Sequence, residues 1–203
     1  MSAPRHIVDA LECVVSTFVS SIRHNHRAAF ILCDGLVEIV CREKIKQVMP
    51  TLGRMPFLNL LRHAAVGLNP ASDKLGAAVF ASHNTRNYLH HDNPGAAVDF
   101  QHCADAILDA VSVIDHCFPR SSASLPDAVA VTLRVVRLFS TRVDAVRRAA
   151  FVQAMRNHRW RQQNKPPKQT ELVISLGDQP HWGLALAIDL VAIDGLLDEV
   201  NAP

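Results

Sequence analysis

At 203 residues with 49% apolar side chains, the chain is long enough to bury a sizeable core, which excludes intrinsic disorder along its whole length. Charged residues make up 20% and the formal net charge is +2, so this is not the strongly basic balance of a protein that coats nucleic acid; any such surface must be local. Asp9 and Glu12 interrupt the one early apolar stretch, and no run reaches about eighteen uncharged apolar residues, so a soluble cytoplasmic protein with no membrane contact is expected.

Apolar residues recur at spacings of three and four, and aromatic residues are only 5%, which predicts an all-α fold. A first helix is expected over 5–22 and a second over about 24–47. In the second, Ala28, Ile31, Leu32, Gly35, Leu36, Ile39 and Val40 make one apolar stripe, and Asp34, Glu38 and Arg42 read as a polar, exposed ladder beside it, contact with Arg86 being the other reading open to Asp34 and Glu38. Pro50 closes it. Pro50, Gly53, Pro56, Gly67 and Pro70 then predict loop, with one short turn of helix from Phe57 to His63.

A short helix over 74–83 follows. The polar stretch from His83 to Gly95 ends in Asn93-Pro94-Gly95, and its second half is expected to leave the helix. Phe100, Ala104, Ile107, Val111, Ile114 and Phe118 give the cleanest amphipathic pattern in the chain, stopped by Pro119. Pro119 to Pro126, rich in Ser, reads as a linker, which divides a helical domain over 1–118 from a helical extension over 119–203. The extension starts with a long helical pattern over 127–162, and Trp160 near its end is expected to pack in the core. Residues 171–176 form the one strand-like run. Since a single strand cannot stand alone, it is expected to pair with a partner copy, and 183–200 return to helix.

Cys13, Cys33, Cys41, Cys103 and Cys117 are odd in number and lack CxxC spacing, and four sit among helix-patterned apolar residues, so they read as reduced thiols buried in the core. Charge is unevenly placed. Residues 134–168 hold ten Lys or Arg and one acid, whereas 169–203 hold six acids and no Lys or Arg. Arg134, Arg137, Arg148, Arg156 and Arg159 fall on one helical flank, which could follow an RNA phosphate backbone or pair with Asp189, Asp194, Asp198 and Glu199 of the last helix.

Within the polar stretch, Arg86 is followed by Asn87, with His91 five positions after the arginine. The second helix from Ala28 to Ile39, the Arg86-Asn87-Tyr88-Leu89-His90-His91 run and the closing helix over 97–118 resemble the HEPN family, over roughly residues 24–118. The resemblance implies an α-helical homodimer acting as a metal-independent ribonuclease without cofactor, in toxin–antitoxin, phage-defence or RNA-processing systems, alongside an antitoxin or defence partner. It assigns Arg86, Asn87 and His91 to the catalytic site, with two copies facing each other. Asp92 stands where the family commonly carries a small residue, and His90 competes with His91 by one position.

These side chains suit the reaction. RNA supplies its own nucleophile, the 2′-hydroxyl, so cleavage needs a proton acceptor, a proton donor for the 5′-oxygen and positive charge on the phosphorane. Imidazole serves either transfer, and the planar guanidinium holds two phosphate oxygens. Two rivals use the same stretch: a non-catalytic HEPN module binding RNA, a nucleotide or a protein, and a metal hydrolase built on His83, His90, His91 and Asp92, whose spacing matches no established metal motif.

Overall fold

Ile7, Leu11, Val14, Val15 and Phe18 recur at helical spacing, and they are the residues that helix α1 (Arg5–Val19) buries. The computed structural model describes residues 3–20, 22–119, 125, 127–139, 172–175 and 185–188. Helix α1 stops at Val19 because Ser20 turns extended and the Asn25 amide donates to the carbonyls of Phe18 and Ser20, both at 2.8 Å. His24, at φ 63, then makes the left-handed step into α2 (Asn25–Lys46).

Helix α2 is the hub, packing against α1, α3 (Phe57–Arg62), α4 (Lys74–His91) and α5 (Phe100–Cys117). Its buried arc is wide for that reason: Ala29, Phe30, Cys33, Leu36, Val37, Val40, Cys41 and Ile45 all face neighbours. The expected stripe is therefore rotated. Leu32 and Ile39 are exposed, while Asp34, read as part of an exposed ladder, is buried against α4. Glu38 and Arg42 do pair, at 2.8 Å, though half-buried.

The loop after α3 lies across the start of α4. His116 of α5 bonds the Val66 carbonyl at 2.7 Å, and a Cβ on Gly76 would come within 2.7 Å of the Leu68 carbonyl oxygen, so only glycine fits there. Asp73 and Asp99 cap α4 and α5 through their carboxylates, as a helix start requires. Helix α4 then runs to His91, so the Arg86–His91 segment is helical and not loop. The breaker acts later than expected because Asn93 is the residue whose helical geometry Pro94 disfavours. Helix α6 (Asp127–Phe139) buries Val129, Thr132, Leu133 and Val136 and packs on α5 and α1. Residues 140–171 and 189–203, with Trp160, the rest of the long helical pattern and the last helix, lie outside the described residues, as does nearly all of the linker.

The fold is all-α through its helical body, with two strands in the extension. Strand β1 (Leu172–Ser175) pairs antiparallel with β2 (Ala185–Ile188) of the same chain, from Leu172 opposite Ile188 to Ser175 opposite Ala185. This corrects two expectations: at most one strand was expected, paired with another copy, and 185–188 were read as helix. Leu-Ala-Leu-Ala-Ile alternates large and small with a period of two, and so short an apolar run satisfies either period.

Cys33, Cys41, Cys103 and Cys117 are buried free thiols and Cys13 is exposed. Burial pushes the four buried thiols up, Cys117 to about 11, because the thiolate is penalised in an apolar surrounding. Cys33 also lies 3.1 Å from the Ala106 carbonyl. A disulfide-exchange reagent at pH 8 is expected to titrate Cys13 at once in the native protein and the other four only after denaturant is added; rapid native reaction of all five would contradict this burial.

Candidate functional site

Successive positions four apart on α4 lie about 40° from each other around the axis, so the helix carries two adjacent rows, His83-Asn87-His91 and Arg86-His90. Arg86 and His91, five apart, diverge by about 140°, so a single protomer does not aim them at one point. His90 and His91 are both exposed on the last turn, their ring centroids 6.0 Å apart. Arg27 of α2 fixes that end: its guanidinium donates to the carbonyls of Leu89, at 2.9 Å, and Pro94. A cation on the last carbonyls of a helix also opposes the negative end of its dipole.

One turn earlier the rows meet α2. Asp34, with a side chain only 6% exposed, receives His83 Nδ1 at 2.9 Å from Oδ1 and 3.2 Å from Oδ2. Arg86 Nε, itself buried, stands 3.5 Å from Asp34 Oδ2, an ion-pair distance without hydrogen-bond alignment. Arg86 Nη1 donates to Asn87 Oδ1 at 3.0 Å, and Asn87 Nδ2 lies 3.1 Å from His83 Nε2. Arg86, Asn87, His83 and Asp34 thus form a closed ring of polar contacts.

The ring fixes its own chemistry. A guanidinium only donates, so the amide must turn its oxygen to Arg86, its NH2 must donate to His83, and Nε2 must be the unprotonated nitrogen. The imidazole is then the neutral Nδ1–H tautomer, donating to Asp34. Phe57 of α3 stacks on it, centroids 4.1 Å apart and planes 11° from parallel, which holds the plane of the ring. Arg86 keeps about a third of its side chain exposed, and among the described residues its Nη2 makes no hydrogen bond, leaving a donor edge for an anion.

Of the residues singled out from sequence, Arg86 and Asn87 come together, and His91 stands apart on the exposed end of Asn87's row. Arg134 is half-buried and Arg137 exposed on α6; Arg148, Arg156 and Arg159 lie outside the described residues. The structure brings Asp34 to Arg86, the alternative to its place in an exposed ladder, and adds His83, which the sequence names only in the metal-site rival. The signal was available in the i,i+4 spacing of His83 and Asn87, but it has meaning only if the helix continues past 83. Among the described residues no three His, Cys, Asp or Glu side chains converge as a metal cage, and both His83 nitrogens are engaged. An open groove of about 470 Å³ between α4 and α5 is lined by Lys74, Asp105 and Asp109. Its two carboxylates suit a phosphate chain poorly. Among the described residues no helix is long and apolar enough to cross a membrane. No family model, curated protein or solved structure matches the chain.

Proposed function

We propose that this chain is a metal-independent endoribonuclease of HEPN type that works as a homodimer in a toxin or defence setting. The observation that carries the reading is the braced guanidinium: Arg86 is held by Asn87 and Asp34 and keeps about a third of its side chain exposed. A fixed, permanently charged fork suits a phosphate whose charge grows in the transition state, since it need not reorganise as the reaction proceeds. His91, exposed at the helix end, supplies proton transfer. Because Arg86 and His91 diverge on α4, the scissile phosphate is gripped by Arg86 of one protomer and reached by His91 of the other, and a second copy completes the site. Asn87 positions the guanidinium. The basic flank from Arg134 and Arg137 through Arg148, Arg156 and Arg159 extends the RNA surface.

The test is cleavage of a mixed-sequence RNA by the purified dimer in excess chelator. Products ending in 2′,3′-cyclic phosphate are expected, with no cleavage of a strand lacking 2′-hydroxyls. His91→Ala is expected to reduce the rate on the order of 10²-fold or more, while His90→Ala changes it little. The reverse ranking would move the proton-transfer role to His90, which shares Arg86's row.

A second reading has its own support. His83 and Asn87 already satisfy each other, and among the described residues no hydrogen bond holds the His91 side chain, which fits a module that binds RNA, a nucleotide or a protein partner without cutting. Tight RNA binding with no cleavage under any metal condition would favour it.

A further inference from the structure

We infer that His83 is a positioning residue for Arg86, an inference that rests on Arg86 being the phosphate-binding group proposed above. A buried carboxylate beside a guanidinium tends toward a two-point pair, side-on through Nε and one Nη or end-on through both, and either form draws Nη donors inward. Here His83 takes that place: its Nδ1–H occupies Asp34 at 2.9 Å and 3.2 Å, and the guanidinium is left with a single Nε approach at 3.5 Å. The same imidazole, through Nε2, holds the Asn87 amide with its oxygen toward Arg86 Nη1. His83 therefore does two things at once. It competes for Asp34, and it orients the residue that steadies the outer end of the fork. Phe57 stacked on the ring prevents the imidazole from turning away.

Removing His83 frees Asp34 Oδ1, and Arg86 folds down onto the carboxylate with its donor edge withdrawn. Glutamine keeps what matters: its NH2 can donate to Asp34 and its carbonyl can accept from Asn87, as the neutral imidazole does. The experiment compares wild type, His83→Ala, His83→Gln, Arg86→Ala and the His83→Ala/Arg86→Ala double variant. Two readouts are taken: the ¹⁵N-resolved signal of the Arg86 Nε–H, and affinity for a fluorescein-labelled 2′-O-methyl oligonucleotide, which cannot be cleaved.

The expected results are an altered Nε–H signal and about tenfold weaker binding in His83→Ala, both restored to within about threefold of wild type or better by glutamine. The double variant should bind no more weakly than Arg86→Ala alone, because a residue acting only through Arg86 has nothing left to act on. Additive losses in the double variant, or glutamine as poor as alanine, would overturn the inference. If the wild-type protein binds no oligonucleotide, the ribonuclease reading falls, and His83 is judged on the Nε–H signal alone: a shift in the alanine variant reversed by glutamine sustains its positioning role, and an unmoved signal refutes it.

Discussion

Replacing Arg86 by alanine is expected to lower kcat/KM for RNA cleavage by roughly 10²- to 10³-fold, the loss typical of one preorganised donor to transition-state charge. Lysine should recover little of it. An ammonium restores the charge but neither the planar fork nor the simultaneous reach to Asn87 Oδ1 and Asp34 Oδ2, which lie at 3.0 Å and 3.5 Å from two different nitrogens of the guanidinium. Folding should suffer less than the rate, because Asp34 keeps the His83 Nδ1–H bond although it loses the neighbouring cation. Single-turnover cleavage of a fluorogenic RNA, read beside a thermal melt, separates the two effects. A rate within a few-fold of wild type would remove Arg86 from the chemistry and with it the ribonuclease reading.

The second large effect is on stability. Asp34→Ala takes the acceptor from both His83 Nδ1–H and Arg86 Nε in a place where water does not easily replace it, since the carboxylate is 6% exposed. Breaking a buried pair from one side costs on the order of 3 kcal/mol, discounted here because Arg86 is about a third exposed and can turn to solvent. For a chain of this length about 2–3 kcal/mol corresponds to a fall in Tm of roughly 5–10 °C. Glu38→Ala is the matched control. Glu38 pairs with Arg42 at 2.8 Å, but both are only partly buried, and a loss of at most about 1 kcal/mol is expected there. Differential scanning calorimetry of the two variants checks the contrast; equal small shifts would mean that the ring around Asp34 contributes nothing to the fold.

These two carboxylates show how far the sequence can be read. Asp34 and Glu38 stand four apart on one helix and look alike in the chain, yet one is buried against α4 and the other, half-buried, pairs within α2. The difference depends on how many neighbours surround α2, which periodicity within α2 does not contain. The same cause put Leu32 and Ile39 outside, although they belong to the apolar stripe. The length of α4 was missed for a different reason. Its polar composition from His83 onward carries no apolar rhythm, and its helical state is sustained from outside, by Arg27 holding the Leu89 and Pro94 carbonyls from a position more than sixty residues earlier.

From the chain alone came the helical class, the start of α4 at Lys74, the buried face of α5, and the Arg86-Asn87 dipeptide as a place of interest. Each follows from interactions between residues a few positions apart, which local spacing records. Tertiary packing alone decided that His83 and Asp34 join Arg86, that His91 stands apart from it, and that two short apolar runs pair as a hairpin. Those outcomes join positions that the chain separates, by forty-nine residues between Asp34 and His83, and only the docking of α4 on α2 brings their donors and acceptors within reach.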